Sequence, residues 1–158
     1  MLNKGRNLKK NDEFNTPLGA WKDILQYVSP ETDLWLPFYN DGSCTDLLKS
    51  LDYKKVFHVN LDFFVYNNPG LIIDNPPWSK KQKIIAHLYE QTRPFALLLP
   101  LAVLEYQYIR KFQKHLQIVI PKDKYSFIES GGKPPFKSCW FCWRFSDYLG
   151  TKKDLIFL

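Results

Sequence analysis

The chain has little of what holds small extracellular folds together. Three cysteines among 158 residues are too few for a disulfide scaffold. Seven glycines form no low-complexity tract and no phosphate loop of the Gly-Lys-Ser type. The longest apolar run, Phe95 to Leu104, is ten residues long and broken by Pro100, against about 20 for a membrane helix. No transmembrane segment is expected. The opening residues Met1 to Lys10 lack the apolar stretch of a secretory signal, so the expected location is inside the cell. His58, His87 and His115 read as isolated, with no nearby Ser or Cys arranged as a nucleophile, and are expected to be surface or satisfied core histidines; hydrolase chemistry has no support. Cys139 and Cys142 are spaced by two, but on a strand they face opposite sides and no second pair completes four ligands. No metal is expected, and the thiols should be buried and reduced.

What is present is a foldable, basic, ring-rich chain. Hydrophobic residues make 45% and charged residues 24%, and a chain of this length buries about 70% of its unfolded surface. One domain over residues 1–158 is expected, with residues 1–13 as a basic arm carrying Lys4, Arg6, Lys9 and Lys10. Twenty-two Lys and Arg against sixteen Asp and Glu leave a net charge of +6, which favours polyanionic partners. Twelve Phe, nine Tyr and five Trp fill a core and leave rings over for stacking on a planar ligand.

Hydrophobic periodicity alternates between strand and helix. Trp21, Ile24, Leu25 and Val28 recur at helical spacing and stop at Ser29-Pro30. Strands are expected over Leu34 to Phe38, Lys55 to Val59, Leu71 to Asp74, Phe95 to Leu99 and Leu116 to Ile120. Between them, Leu47, Leu48 and Leu51, then Ile84, Ile85 and Leu88, then Leu104, Tyr108, Ile109 and Phe112 mark helices. Such βαβ units imply a parallel sheet with helices on both faces. Ser138 to Phe145 is β-prone and reached only by the loop Gly131-Gly132-Lys133-Pro134-Pro135, so it enters antiparallel near the end of the sheet. The fold class is a mixed α/β sheet.

Ligands of open α/β sheets sit beyond the carboxyl ends of the strands, which directs attention to Asp74-Asn75-Pro76-Pro77-Trp78 at the end of the third strand. Two prolines fix φ and remove two backbone donors, so the loop is stiff. It presents the Asn75 carboxamide, the Pro76 carbonyl and the Trp78 ring, with Pro77 holding the geometry. Two acceptors and a ring are the parts needed to act on an exocyclic amine of a planar base: each acceptor takes one amino hydrogen and the ring stacks. Directly after it, Ser79-Lys80-Lys81-Gln82-Lys83 opens a helix. Lys80, Lys81 and Lys83 are candidate phosphate contacts at the mouth of the site, extended by Lys133 and Lys137.

With these residues the chain resembles the S-adenosylmethionine-dependent amino-methyltransferases that methylate adenine N6 or cytosine N4, whose signature is Asp or Asn, then Pro-Pro, then an aromatic. Glu13-Phe14-Asn15-Thr16-Pro17 looks like their cofactor segment before the first strand, and the first strand and its loop, Leu34-Trp35-Leu36-Pro37-Phe38-Tyr39-Asn40-Asp41-Gly42-Ser43, like their glycine-containing cofactor loop. Asp62-Phe63 looks like the pair bordering the cofactor's adenine. The resemblance implies a Rossmann-like sheet. It implies S-adenosyl-L-methionine held by Phe14, Thr16, Pro17, Pro37, Phe38, Asp41, Gly42, Ser43, Asn60, Asp62 and Phe63, and a target adenine, unpaired or flipped, in DNA more than RNA. The chain departs from the family at Leu36, where an acid is usual, at Asn40, where glycine is usual, and at Asn60, where an acid is frequent. No separate target-recognition domain is expected, so the chain should have loose specificity, prefer single strands, or take recognition from a homo-oligomer or a partner subunit. Two other readings share the motif. One is a methyltransferase-fold nucleic-acid-binding subunit with weakened chemistry, and the other is a protein glutamine N-methyltransferase.

Overall fold

The computed structural model describes residues 15–127 and 136–158. Phe14, the basic arm, the Gly131-Gly132 loop and Lys133 lie outside the described residues. Among the described residues, seven strands form one sheet: β1 (Leu34–Trp35), β2 (Val56–Phe57), β3 (Leu71–Asp74), β4 (Phe95–Pro100), β5 (Leu116–Ile120), β6 (Ser138–Trp143) and β7 (Leu155–Phe157). Their spatial order is β2-β1-β3-β4-β6-β5-β7. Six run in one direction, and β6 alone is antiparallel to both its neighbours.

The helices are α1 (Leu18–Leu25), α2 (Cys44–Ser50), α3 (Lys81–Gln91) and α4 (Ser146–Leu149). Side-chain alternation along the strands sorts them onto two faces. Leu34, Ile73, Ala96, Leu98, Trp140 and Cys142 pack with α1, α2 and Leu149 of α4. Trp35, Ile72, Leu97, Leu99, Phe141 and Trp143 pack with α3 and with Ile109 and Phe112. Burying both faces explains why β3, β4 and β6 read as continuous apolar runs. Cys139 and Cys142 fall on opposite faces, as the period of two requires. Among the described residues, no helix is long and apolar enough to cross a membrane.

Three features depart from the pattern read in the sequence. The antiparallel strand is interior, filling the gap between β4 and β5, and the edge belongs to β7, which pairs parallel to β5. β7 is mostly exposed, so its three residues carry no run or alternation long enough to notice. The segment expected as a helix around Leu104 to Phe112 is two 3-10 stretches, Leu101–Glu105 and Gln107–His115, separated by Tyr106 in extended conformation. β1 and β2 shrink to two residues each. One more rung joins them, Leu36 N–H to the Phe57 carbonyl at 3.0 Å. Pro37 then has no N–H to give, and the Leu36 carbonyl accepts from the His58 ring at 2.8 Å. The ladder ends there and the chain opens into loops.

The chain reverses its direction of travel between β1 and β3. From β1 it moves outward to edge strand β2 through α2 on one face, and from β3 it moves inward to β4 through α3 on the other. That is the switch point of an open sheet, where a crevice forms beyond the strand ends. Close packing brings the two strands together: a Cβ on Gly70 would meet Leu34 C and Trp35 N at 3.0 Å.

Candidate active site

Asp74, the last residue of β3, holds the crevice together. Its carboxylate accepts the Phe38 amide at 2.7 Å with one oxygen and the Asn75 amide at 2.8 Å with the other. It therefore ties the loop after β1 to the loop after β3. Asp74 is 3% exposed. Burial pushes its carboxyl well above the usual range, against the two amides that favour the ionised form. Its signal in the sequence is an acid closing a run of Leu-Ile-Ile, which does not by itself mark a site residue.

The four motif residues follow. Asn75 and Pro76 are buried, Pro77 and Trp78 half-buried. Pro77 begins a 3-10 turn over Trp78–Lys80, its carbonyl accepting the Lys80 amide at 3.0 Å. The Trp78 indole N–H donates to the Leu98 carbonyl at 3.2 Å, and its ring meets Phe127 and Phe136 edge-on at 5.5 and 5.2 Å. Trp78 is thus oriented by β4 and two aromatic neighbours.

Two hollows flank the loop after β1. The first, of about 330 Å³, is lined by Thr16, Phe38, Asp41, Gly42, Ser43 and Asp74 among others. The second, of about 390 Å³, is lined by Pro37, Phe38, Asn60, Asp62, Phe63 and Pro77 among others, with Lys80 at its rim. Of the described residues expected around a cofactor, all but Pro17 line one hollow or the other. Pro17 instead starts α1, its carbonyl accepting the Ala20 and Trp21 amides. Asp62 accepts the Phe64 amide at 2.9 Å and shapes its own turn. Phe63 packs on Phe38 at 4.9 Å.

The first hollow has a distinct electrostatic character: no Lys or Arg is among the described residues that line it. Hydrogen bonds from the Ser43 hydroxyl, the Ser43 amide and Asn15 hold Asp41 down to about 2, so it is ionised. Gly42 has φ +80°, with the Tyr39 ring lying where a side chain would go, which makes glycine the fitting residue there.

One expectation is overturned in this hollow. His58 is not isolated: its Nε2 lies 3.2 Å from Cys44 Sγ, its Nδ1 donates to Leu36, and Tyr39 stacks on it at 4.9 Å. Residues 14 apart meet because α2 returns the chain to the end of β2. Burial, then the charges of Asp74 and Asp41, push the Cys44 thiol up to about 12. It is a protonated donor to His58 and not an activated nucleophile.

Of the expected phosphate contacts, Lys81 donates to the Trp78 carbonyl at 3.1 Å, and Lys80 and Lys83 are exposed. Lys137 is turned elsewhere, donating to the Pro121 carbonyl at 2.9 Å. No group of three or more His, Cys, Asp or Glu able to hold a metal is found among the described residues. No protein-family model matches the chain, and no curated protein matches it.

Proposed function

We propose that the protein is an S-adenosylmethionine-dependent methyltransferase acting on the N6 amino group of adenine in nucleic acid, DNA in preference to RNA. The observation that carries the reading is the position of Asn75-Pro76-Pro77-Trp78 at the switch point, tied through Asp74 to the loop that lines both hollows. A mostly parallel α/β sheet with one antiparallel strand supports the Rossmann-like reading.

The residues present fit the cofactor. A hollow whose described lining has no lysine or arginine and includes ionised Asp41 suits a ligand bearing positive charge, and the Phe38-Phe63 pair offers a wall for a purine. Thr16, Asp41, Gly42 and Ser43 would hold one end, and Asn60, Asp62 and Phe63 the other. When bound, S-adenosylmethionine supplies an electrophilic methyl group.

The chain's own part is alignment. The Asn75 carboxamide oxygen and the Pro76 carbonyl accept the two amino hydrogens of the base, drawing its nitrogen toward tetrahedral geometry and exposing the lone pair. Trp78, its N–H already committed to Leu98, contributes stacking surface. The proton leaves after positive charge has developed on nitrogen, so no strong base is required at the start, and positioning supplies most of the effect. Such a base must be unpaired or extruded from its duplex.

A catalytically weakened nucleic-acid-binding subunit is the second reading, favoured by Leu36. This position carries an acid in the family, yet here it is 0% exposed and part of the core, so it puts no charge in the hollow. Calorimetric titration with S-adenosylmethionine separates the two, because absence of heat at millimolar cofactor removes the enzyme reading for the isolated chain. Tritiated methyl transfer to DNA, RNA and protein pools in parallel then identifies the acceptor. Label in the protein pool alone would move the assignment to glutamine.

A further inference from the structure

The net charge of the chain is not spread over it. Residues 79–83 and 106–115 hold six of the twenty-two basic residues, Lys80, Lys81, Lys83, Arg110, Lys111 and Lys114, and no acid. The sixteen that remain elsewhere equal the sixteen acids of the whole chain, so these two segments account for the entire +6. They are far apart in sequence, and the fold sets them side by side, with α3 packed against the 3-10 stretch through Tyr89 and Phe112 at 5.3 Å.

Between them runs a groove of about 720 Å³, lined by Lys81, Gln82, Tyr106, Gln107, Tyr108 and Lys111. Its cations sit among rings. Lys81 Nζ is 5.7 Å from the Tyr106 ring centre and Lys111 Nζ is 4.6 Å from that of Tyr89. Tyr106 and Tyr108 stack on each other at 5.3 Å and 14°, and Tyr106 is 48% exposed. The groove reaches the active loop, because Ser79 lines it and Lys81 is bonded to the Trp78 carbonyl.

We infer that this groove is the track for a single-stranded nucleic acid, with Lys81 and Lys111 on phosphates and Tyr106 as a base-stacking platform that leads the strand to Trp78. Cations that follow a backbone, interleaved with aromatic faces, are the recurring build of sequence-tolerant single-strand sites. Both glutamines add neutral donors and acceptors for sugar and phosphate oxygens. A duplex would present its phosphates but not its base faces, leaving the Tyr106 platform without a partner.

The inference rests on the proposed action on nucleic acid, and binding separates it from that reading. Fluorescence anisotropy with a labelled single-stranded oligodeoxyadenylate is expected to show salt-dependent binding, tighter than to the corresponding duplex. Lys111→Glu should weaken it about tenfold or more and lower the slope against log salt by about 0.7 for each phosphate the protein no longer neutralises. Tyr106→Ala should weaken it about tenfold, and Lys54→Glu, the same charge reversal beside edge strand β2, by less than about twofold. In the wild-type protein, the oligonucleotide should protect Lys81 and Lys111 from acetylation, a readout that does not depend on any variant folding. Binding that is unchanged by Lys111→Glu and Tyr106→Ala overturns the track even if methyl transfer is observed. Binding abolished in those variants upholds it even if no methyl transfer is found. Equal competition by polyglutamate would assign the groove to an acidic protein and overturn it.

Discussion

The two flanks of the Asn75–Trp78 loop are opposites. On the β1 side, the described lining of the first hollow includes Asp41 and Asp74 and no lysine or arginine. On the α3 side, the described lining of the groove includes Lys81 and Lys111 and no acid. Each is built differently as well. The β1 side is held by hydrogen bonds at the ends of short strands, whereas the groove lies on two helical segments, with Tyr106 and Lys111 exposed and Lys81 and Tyr108 half-buried. Under the proposed activity, this contrast would favour a cationic donor in the first hollow and a polyanionic acceptor in the groove.

Substitutions can break this contrast at chosen points. The largest effect is expected at the divide itself. Asn75→Ala removes one of the two proposed acceptors and should lower methyl transfer by about 10²-fold or more, with cofactor titration and oligonucleotide binding nearly unchanged. Parallel loss of both binding activities would mark Asn75 as a structural residue. Next comes Asp74→Ala, which leaves the Phe38 and Asn75 amides without their acceptor. A buried donor so treated costs about 1–3 kcal/mol, to be read from urea unfolding, and cofactor affinity should fall while oligonucleotide affinity holds. Equal loss of both affinities would show that the two flanks are one mechanical unit.

Trp78→Phe keeps a stacking face but loses the indole bond to Leu98. It should destabilise by about 1 kcal/mol and change turnover only a few-fold. A hundredfold loss would mean that the indole N–H, and not the ring face, is what the site requires.

The smallest effect expected is in pH dependence. Asp41, held down to about 2, contributes stability that is complete above its ordinary 3.8 and lost as pH falls through about 2. Asp74, raised by burial, runs the other way: its contribution is complete below 3.8 and declines as pH rises through its folded value. Urea midpoints from about pH 2 to neutrality should therefore lose their acid-side slope in Asp41→Asn and their opposite slope in Asp74→Ala. Identical profiles for wild type and both variants would refute these assignments.

Much of the architecture was legible because burial on both faces writes itself as apolar runs. β3 and β5 begin and end at the expected residues, and β4 is one residue longer. The opposite facing of Cys139 and Cys142 followed from strand periodicity alone. β7 was not legible because a short, exposed edge strand is decided by its partner and not by its own residues, and the insertion of β6 between β4 and β5 is a matter of which gap the returning chain can fill. Within the site, Asn75 to Trp78 announced itself through two prolines that constrain their own backbone. Asp74 did not, since its role lies in an amide 36 residues away. The Cys44–His58 pairing was equally hidden, as no spacing rule links a helix start to the end of the next strand.

By itself, then, the sequence determined an α/β chain, a stiff Asn-Pro-Pro-Trp loop at the end of a strand, and an excess of positive charge. These are local quantities, set by hydrophobic period, by the fixed φ of proline and by counting. Only the tertiary structure decided where they act. It placed the loop at the reversal between β1 and β3, anchored it through the buried carboxylate of Asp74, and set the two basic segments side by side. Pairings of that kind depend on which strands become neighbours, and sheet order is chosen by the joint burial of both faces and not by any one stretch of residues.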